Sequence, residues 1–229
     1  MQKALRIISI IVIIVVIFAA IIASTTSKPA AADQAWDKEM TIGDLNAKNH
    51  FIIYSDMVCP YCVAFENAIV ENEEEFQNYI KENDIFVEVR LSDFLYEYGQ
   101  VNHPHSRYSA IATYCAKNEG KFWDYYNLAI SSVWNDFFKK DGKSALSNIA
   151  KQDASYWTKI GKRIGLGESY EECIENQAPL EEIKQNAEKS AKLIDGMPYF
   201  KFNNYTNSGF DLSWGWDYVK AYFDAGLNS

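Results

Sequence analysis

Two cysteines separated by two residues, Cys59 and Cys62, stand where an apolar segment meets a helix, and this arrangement constrains the fold more than any other feature. Residues 51–54 have the β-branched and aromatic composition of a strand. Pro60 suits the first turn of a helix, where its missing N–H is not needed. The two-residue spacing lets the thiols close a small disulfide ring. The sequence therefore predicts a strand, a redox-active turn and a helix in succession.

The two cysteines are predicted to play different parts in disulfide exchange. Cys59 precedes the helix, where unsatisfied N–H groups and the helix macrodipole favour a thiolate, the form of cysteine that exchanges with disulfides. Cys62 is the partner that closes the ring on Cys59. A structural disulfide or half of a zinc site is disfavoured, because the chain has 4 cysteines and 3 histidines without a second closely spaced pair. We expect neither a metal nor another cofactor.

Three further residues of this turn are candidates for the site. Pro60 and Tyr61 lie between the cysteines, and Asp56 precedes Cys59 at the end of the predicted strand. From there a carboxyl is placed to move protons to or from Cys62 through water. The alternative for Asp56 is a solvated acid at the strand end, or a cap of the helix.

The N-terminal segment predicts an association with a membrane. Residues 7–23 are apolar apart from Ser9, and with residues 4–6 they form a helix of roughly 30 Å, the thickness of a bilayer's hydrocarbon core. Lys3 and Arg6 are expected to stay cytoplasmic, which makes the chain a single-pass cell-membrane protein with its body on the extracytoplasmic side. The alternative is a cleaved signal peptide and a secreted product.

The distribution of charge limits the partners of the body. All 31 acidic residues lie from Asp33 onwards, and the formal net charge of the whole chain is −9. An acidic body gains nothing from contact with phosphate groups, so nucleic-acid binding is not expected. Residues 24–40 show no apolar period and are interpreted as a tether, with the folded body starting near Thr41.

Strand and helix patterns alternate along the body. A helical period through residues 63–80 predicts one long amphipathic helix, and residues 85–91 predict a second strand, parallel to the first. Helical segments then follow up to residue 194, and the predicted pieces are 106–118, 122–138, 144–150, 155–164 and 179–193, with a turn at 170–176. Strands at 199–202 and 210–212 are predicted to form a hairpin before a helix at 216–225.

Four segments resemble a single family. Residues 54–62 contain an acid and Cys-Pro-X-Cys after a strand, and residues 114–123 contain a glycine turn with a Phe-Trp pair. Residues 164–167 form a glycine-rich turn before Cys173, and residues 196–200 contain a proline before a strand. On these motifs the body resembles the DsbA-like thiol:disulfide oxidoreductases of the thioredoxin superfamily. The resemblance implies an α/β thioredoxin fold with an inserted all-helical domain, here preceded by a transmembrane helix.

The resemblance also implies an order of domains. An anchor and a tether are followed by a thioredoxin fold that the helical insertion divides in two. The five parts are the anchor at residues 1–23, the tether at 24–40, the first thioredoxin part at 41–97, the insertion at 98–194 and the second thioredoxin part at 195–229.

Pro198 stands where the family has a cis-proline before a strand. From the sequence alone, the bond between Met197 and Pro198 is either a trans bond that opens a strand or a cis bond in a tight turn. The resemblance favours cis, and it places the backbone of Met197 where an extended substrate pairs beside Cys59. Two residues depart from the family pattern. Tyr61 replaces the histidine of the best-known oxidases, which removes a positive charge near the thiolate, and Met197 replaces Val or Thr.

Cys115 and Cys173 lie outside the motif. They fall in separate predicted helices, and an exported protein seldom leaves two thiols unpaired, so a structural disulfide between them is predicted. The alternative is two independent buried cysteines that act as small apolar residues.

These features together predict an enzyme, a protein disulfide oxidoreductase that donates the Cys59–Cys62 disulfide to reduced exported proteins. By resemblance, a quinone-linked membrane oxidase of the DsbB or VKOR-like kind restores that disulfide. The alternatives are a reductase or isomerase on the same fold, a thiol carrier for metal or cytochrome maturation, and a redox-inactive module that only binds extended peptides at Met197.

Overall fold

The computed structural model of the chain describes residues 35–99 and 103–229. The predicted membrane segment at residues 1–23 and most of the tether at residues 24–40 lie outside the described residues. Among the helices that are described, none has the length and apolar character needed to cross a membrane.

The strands of the described body form one mixed sheet. They are β1 Thr41–Ile42, β2 Asn49–Ser55, β3 Ile85–Leu91, β4 Tyr199–Phe202 and β5 Tyr205–Ser208. Their order across the sheet is β1-β3-β2-β4-β5. β2 and β3 are parallel, and the other neighbouring pairs are antiparallel. The predicted parallel pair is therefore confirmed, and β2 occupies the centre of the sheet.

The alternation of side chains along β2 distributes them between two cores. Phe51 and Ile53 pack into the larger cluster, whereas Ile52 and Tyr54 face a smaller cluster on the other side of the sheet. All four side chains are at most 2% exposed. A strand that is covered on both faces is apolar throughout, which explains the continuous apolar run in the sequence.

Helices connect the strands and cover the sheet. α1 Pro60–Glu71 and α2 Glu73–Glu82 lie between β2 and β3, and α11 Trp216–Leu227 follows the β4–β5 hairpin. The helices between β3 and β4 are α3 Phe94–Glu97, α4 Pro104–Asn118, α5 Phe122–Val133, α6 Lys139–Asp141, α7 Ala145–Ile149, α8 Ser155–Arg163, α9 Glu168–Glu175 and α10 Leu180–Ala191. A π-helical turn, Trp134–Phe138, joins α5 to α6, and 3₁₀ turns cover Lys38–Met40 and Gly142–Ser144.

The prediction of one long helix over residues 63–80 is wrong, because the helix is interrupted at Asn72. The backbone of Asn72 leaves the helical region with φ −124° and ψ 37°, and its side-chain amide donates to the carbonyl of Ala68 at 2.9 Å. Side-chain hydrogen bonds of this kind compete with the helical ladder. A new helix, α2, then begins with three glutamates, whose charge suits a helix N-terminus.

The predicted position of the second hairpin strand, residues 210–212, is also wrong. The chain turns at Asn203 and Asn204, so the partner of β4 is β5 rather than residues 210–212. Asn203 has φ +53°, a conformation that short hairpin turns need and that asparagine tolerates. The hairpin is therefore tighter than the sequence pattern indicated.

The predicted turn at residues 170–176 is helix α9 instead. Tyr170 of α9 is fully buried, and its ring packs against Gly161 of α8. A Cβ atom at position 161 would lie only 2.4 Å from this ring. The glycine lets the two short helices approach closely, and this packing stabilises α9 beyond what its sequence indicates.

The described end of the tether is fixed to the sheet. The backbone N–H of Trp36 donates to Glu88 of β3 at 2.5 Å, and the guanidinium of Arg90 lies 4.3 Å from the Trp36 ring centre. Glu88 and Arg90 form a buried ion pair at 3.0 Å. Asp37 forms an ion pair with Lys117 of α4 at 2.7 Å. The chain therefore enters the fold along β3, next to α4.

A disulfide joins Cys115 of α4 to Cys173 of α9, with Cα atoms 5.8 Å apart and a sequence separation of 58. Cys115 is fully buried in the core, and Cys173 packs against the same core from its edge. The bond ties two helices that are distant in sequence, and it does not involve Cys59 or Cys62, which are both free thiols.

Removal of this disulfide is expected to weaken the fold without touching the pair of free thiols. For a loop of 58 residues, the closure entropy amounts to about 4 kcal/mol of unfolding free energy. Urea unfolding of the double variant Cys115→Ala/Cys173→Ala, compared with the parent protein, measures the difference. A loss below about 1 kcal/mol would contradict a stabilising role for the bond.

Candidate active site

The cysteine motif lies at the carboxyl end of the central strand. Cys59 is the N-cap residue of α1, with φ −68° and ψ 119°, and Pro60 takes the first helical position. The N–H of Cys59 donates to the carbonyl of Asp56 at 3.0 Å, which closes the turn between β2 and α1. The structure therefore has the strand, turn and helix that the motif predicted, with Cys59 at the helix N-terminus.

The loop before β4 lies against Cys59. The Met197–Pro198 peptide bond is cis, and the thiol of Cys59 donates to the carbonyl of Met197 at 3.5 Å. Antiparallel pairing of β4 with β2 sets Tyr199 opposite Tyr54 and so delivers this loop to the end of β2. The structure thus brings together Cys59, Met197 and Pro198 from segments that are distant in sequence.

Cys62 is set more deeply than Cys59. Its side chain is 0% exposed, against 4% for Cys59. Burial raises the pKa of the Cys62 thiol well above its usual value, and hydrogen bonding with Cys59 and the negative charge of Glu66 act in the same direction. The backbone N–H of Asp56 acts in the opposite direction. The environment of Cys62 therefore favours a protonated thiol.

Asp56 is buried, so the interpretation of a solvated strand-end acid is wrong. Its carboxylate accepts hydrogen bonds from the backbone N–H groups of Val58 at 3.0 Å and Leu95 at 2.9 Å, and from the hydroxyl of Ser106 at 2.5 Å. Burial raises the pKa of Asp56 to about 6, and these three hydrogen bonds oppose the rise. The carboxylate holds the turn before Cys59 to α3 and α4.

Glu66 is a residue of the site that the sequence analysis missed. It lies on α1 one turn after Cys62 and is 3% exposed. Burial raises the pKa of Glu66 to about 8, while the hydroxyls of Ser55 and Tyr126 act to lower it. Neither carboxyl oxygen makes a hydrogen bond of ordinary geometry. A signal was present in the sequence, because residues four apart on a helix share a face, and the face of Cys62 is otherwise apolar.

Tyr61 is the exposed member of the motif. Its side chain is 47% exposed, whereas the cysteines on either side are buried. The ring is therefore available to contact another molecule that approaches Cys59, and its neutral phenol adds no positive charge there.

The histidines of the helical region have structural contacts. His103 and His105 lie within 3.1 Å of the carbonyls of Leu146 and Gln152, and so connect the start of α4 to the segment around α7. Across residues 35–99 and 103–229, His, Cys, Asp and Glu side chains form no group that could hold a metal ion.

Comparison with known proteins gives one family and several similar structures. The model of the family described as Thioredoxin matches residues 35–206. Among solved structures, MdbA, a thiol-disulfide oxidoreductase from Corynebacterium diphtheriae, is 16% identical with a TM-score of 0.59, covering 86% of this chain and 100% of its own. BdbD from Bacillus subtilis is 16% identical with a TM-score of 0.55, covering 83% of this chain and 93% of its own.

A thioredoxin-like oxidoreductase from Silicibacter pomeroyi is similar to the same extent, with 17% identity, a TM-score of 0.57, and coverage of 84% of this chain and 95% of its own. No curated protein sequence matches the chain. At these identities the structural likenesses establish the fold, and the predicted α/β thioredoxin fold of the body is confirmed.

The buried carboxyl of Glu66 is expected to make stability depend on pH. The folded protein keeps this proton up to about pH 8, whereas the unfolded chain releases it near the ordinary value of 4.5. Burial of the group therefore costs increasing stability as the pH rises between these values. Relative to Glu66→Gln, the parent protein is expected to lose up to about 3 kcal/mol of unfolding free energy between pH 4.5 and pH 7.

Urea unfolding of both proteins at a series of pH values measures this difference. Glu71→Gln, which changes an exposed acid on the same helix, is the matched control and should follow the parent protein at every pH. Parallel curves for the parent protein and Glu66→Gln would contradict the burial of an ionisable carboxyl.

Proposed function

This chain belongs to the thioredoxin family, and from that membership we propose that it is a DsbA-type thiol-disulfide oxidoreductase that donates the Cys59–Cys62 disulfide to exported proteins. The observation that carries the proposal is the contact of Cys59 with the loop of Met197 and Pro198. The thiol at the start of α1 lies 3.5 Å from the Met197 carbonyl. A sulfur that reacts and a backbone that aligns a peptide therefore lie side by side.

Disulfide donation begins with attack on Cys59. A substrate thiolate attacks Cys59 rather than Cys62, because Cys62 is fully enclosed by the protein. The Cys59–Cys62 bond breaks, Cys62 leaves as the reduced partner, and a mixed disulfide joins the substrate to Cys59. A second substrate thiolate then attacks the substrate sulfur of that bond and releases Cys59. Two electrons pass from the substrate thiols to the cysteine pair, and the substrate gains a disulfide.

The helix N-terminus supports this direction of exchange. Cys59 is the N-cap of α1, and the unpaired N–H groups and positive dipole end of a helix N-terminus generally favour a cysteine thiolate as leaving group. A pair whose reduced form is stabilised in this way is a better oxidant. The helix thus favours donation of the disulfide over its acceptance.

Recognition of substrate is assigned to the backbone beside Cys59. The Met197 carbonyl, which accepts from Cys59 in the free protein, is the group that an extended peptide would pair with as its cysteine reaches the sulfur. Pairing through the backbone accepts many sequences, as an enzyme that acts on varied unfolded proteins requires. The exposed ring of Tyr61 adds an apolar contact next to the reacting atoms.

The proposal places the enzyme on the extracytoplasmic side of the cell membrane. The apolar residues 7–23, following Lys3 and Arg6, support an anchor of that orientation, with a secreted form after signal cleavage as the alternative. The Cys115–Cys173 disulfide supports an oxidising compartment. Reoxidation of the Cys59–Cys62 pair is assigned to a quinone-linked membrane oxidase of the DsbB or VKOR-like kind, which the anchor would hold nearby.

A reductase or isomerase is the second candidate, and Tyr61 is the observation that favours it. A neutral side chain between the cysteines stabilises the thiolate less than a cationic one does. Weaker stabilisation of the reduced pair makes the pair less oxidising.

Trapping of the mixed disulfide tests the donor mechanism. The oxidised parent protein should transfer its disulfide to a reduced, unfolded ribonuclease and restore ribonuclease activity, and Cys59→Ser should reduce this transfer to background. Cys62→Ser lacks the resolving thiol, so Cys59 should remain bound to substrate when the variant is offered a substrate carrying an activated disulfide.

Mass spectrometry of the non-reduced adducts identifies the cysteine that is attached. The variant Cys115→Ala/Cys173→Ala, which keeps the motif, is the control and should still transfer. Transfer by Cys59→Ser at the parent rate, or an adduct on a cysteine other than Cys59, would refute the assignment.

A further inference from the structure

We propose that helix α4 sets the reactivity of Cys59 through Ser106, a positioning residue that holds the Asp56 carboxylate and, with it, the turn that presents the sulfur. The inference rests on the proposed disulfide exchange and goes beyond it, because it gives a part in that exchange to a residue outside the cysteine motif and the Met197 loop. Ser106 does not touch the reacting sulfur and acts through Asp56.

The turn between β2 and α1 fixes the backbone of Cys59 from both sides. The N–H of Cys59 donates to the carbonyl of Asp56 at 3.0 Å, and its carbonyl accepts from the N–H of Val63 at 3.0 Å. The side chain of Asp56 supports the same turn, because it accepts from the N–H of Val58 at 3.0 Å. The placement of the Cys59 sulfur beside the Met197 carbonyl therefore depends on the orientation of the Asp56 carboxylate.

Ser106 fixes this carboxylate to α4. Both residues are 0% exposed, and the Ser106 hydroxyl donates to Oδ2 of Asp56 at 2.5 Å. The same oxygen accepts from the N–H of Leu95 at 2.9 Å, whereas Oδ1 accepts from Val58. A buried carboxylate needs such donors, and donors in fixed directions set its orientation. Without the hydroxyl, Oδ2 would keep the Leu95 donor and the carboxylate would lose its link to α4.

The face of α4 that meets the turn is polar. Ser106, Ser109 and Thr113 share one face of the helix by their spacing, and all three are 0% exposed. The Thr113 hydroxyl lies 2.9 Å from the sulfur of Met57, the residue after Asp56, and the Ser109 hydroxyl donates to the Ser106 carbonyl at 2.9 Å. Buried hydroxyls are unfavourable unless they are hydrogen-bonded, and an apolar face would pack as well. The hydroxyls therefore indicate a role for this face beyond packing.

The start of α4 is itself held by the neighbouring helices. His105 is 1% exposed, its Nδ1 lies 3.0 Å from Nε1 of Trp157 on α8, and its Nε2 lies 3.1 Å from the carbonyl of Gln152. An indole nitrogen only donates and a carbonyl only accepts, so both nitrogens of a neutral His105 ring are used, with the proton on Nε2. The N–H of Ser106 donates to the carbonyl of His103 at 3.0 Å. Ser106 is therefore a fixed point from which the Asp56 carboxylate can be held.

The charges around Asp56 make the Ser106 contact important. Burial raises the pKa of Asp56 to about 6, the Ser106 hydroxyl acts to lower it, and the carboxylate of Asp93 acts to raise it. Asp93 is paired with Arg107 at 2.8 Å, and Glu66 on α1 is a further acid whose own pKa the charge of Asp56 raises. The hydroxyl thus helps Asp56 to remain the ionised acceptor that the turn requires at neutral pH.

Equilibration with glutathione tests the role of Ser106. In Ser106→Ala the turn loses its link to α4, so the Cys59 thiolate is supported less well and the pair becomes less oxidising. A hydrogen bond to a charged group is worth about 10-fold or more, and transmission of part of it predicts a shift of at least ~3-fold towards the disulfide form. Ser106→Thr keeps a hydroxyl and should restore most of the parent value. The alkylation rate of Cys59 in the reduced protein at neutral pH should fall in Ser106→Ala and recover in Ser106→Thr.

Ser109→Ala is the matched control, because it removes a buried hydroxyl of the same helix that donates within α4 and not to the turn. Its glutathione equilibrium and its alkylation rate should equal those of the parent protein, and urea unfolding checks that each variant is folded. If Ser106→Ala does not fold, Asp56→Asn, which removes the charge and keeps an acceptor oxygen, should shift the equilibrium in the same direction. An equilibrium within ~1.5-fold of the parent in the folded variant, or an equal shift in Ser109→Ala, would overturn the proposal.

A second measurement does not require disulfide exchange. The ¹³C carboxyl resonance of Asp56, assigned with Asp56→Asn, is titrated by NMR in the reduced protein. Loss of the Ser106 hydroxyl should raise the titration midpoint from about 6 by about one pH unit, whereas Ser109→Ala should leave it in place. An unchanged midpoint in Ser106→Ala would also contradict the proposal. If the parent protein transferred no disulfides to ribonuclease but Ser106→Ala still slowed alkylation of Cys59, the proposed function would fail while the positioning role stood.

Discussion

The burial of the Cys59 and Cys62 sulfurs at the end of β2 is the constraint on which the rest of the site depends. A thiolate that is buried without compensation is unfavourable, so each sulfur needs its own support. Cys59 lies at the N-terminus of α1, which favours negative charge, and its protonated thiol donates to the carbonyl of Met197. Cys62 lies deeper and remains protonated, with the carboxyl of Glu66 one turn away. Because Cys62 is more deeply buried than Cys59, the two sulfurs are suited to different steps of the exchange.

The remainder of the body holds these supports in position. The central strand β2 is covered on both faces, so the turn that carries Cys59 extends from a strand buried between two clusters. Asp56 accepts one hydrogen bond from α3 and one from α4, and a third from Val58 within the turn itself. The pairing of β4 with β2 delivers the loop of Met197 and Pro198. The helical region contributes Tyr126 to the surroundings of Glu66, so it takes part in the site as well as in stability.

Much of this arrangement could be predicted from sequence, and the exceptions have physical reasons. β2 and β3 have clear apolar patterns, and Pro60 marks the start of α1, so the motif was placed correctly. β1 has two residues and α3 has four, too few to show a period. The break at Asn72 depends on a hydrogen bond from its own side chain. The spacing of Glu66 from Cys62 placed it on the same helix face, but its full burial depends on packing against α5, which the local pattern does not reveal.

The reduction potential of the Cys59–Cys62 pair tests the central claim most directly. The protein is equilibrated with glutathione buffers of graded ratio, alkylated, and the modified cysteines are counted by mass spectrometry. The account predicts one reversible transition in which Cys59 and Cys62 change together while Cys115 and Cys173 stay joined, at a potential above about −200 mV. A value near the roughly −270 mV of a reducing thioredoxin, or a pair that never forms a disulfide, would contradict it.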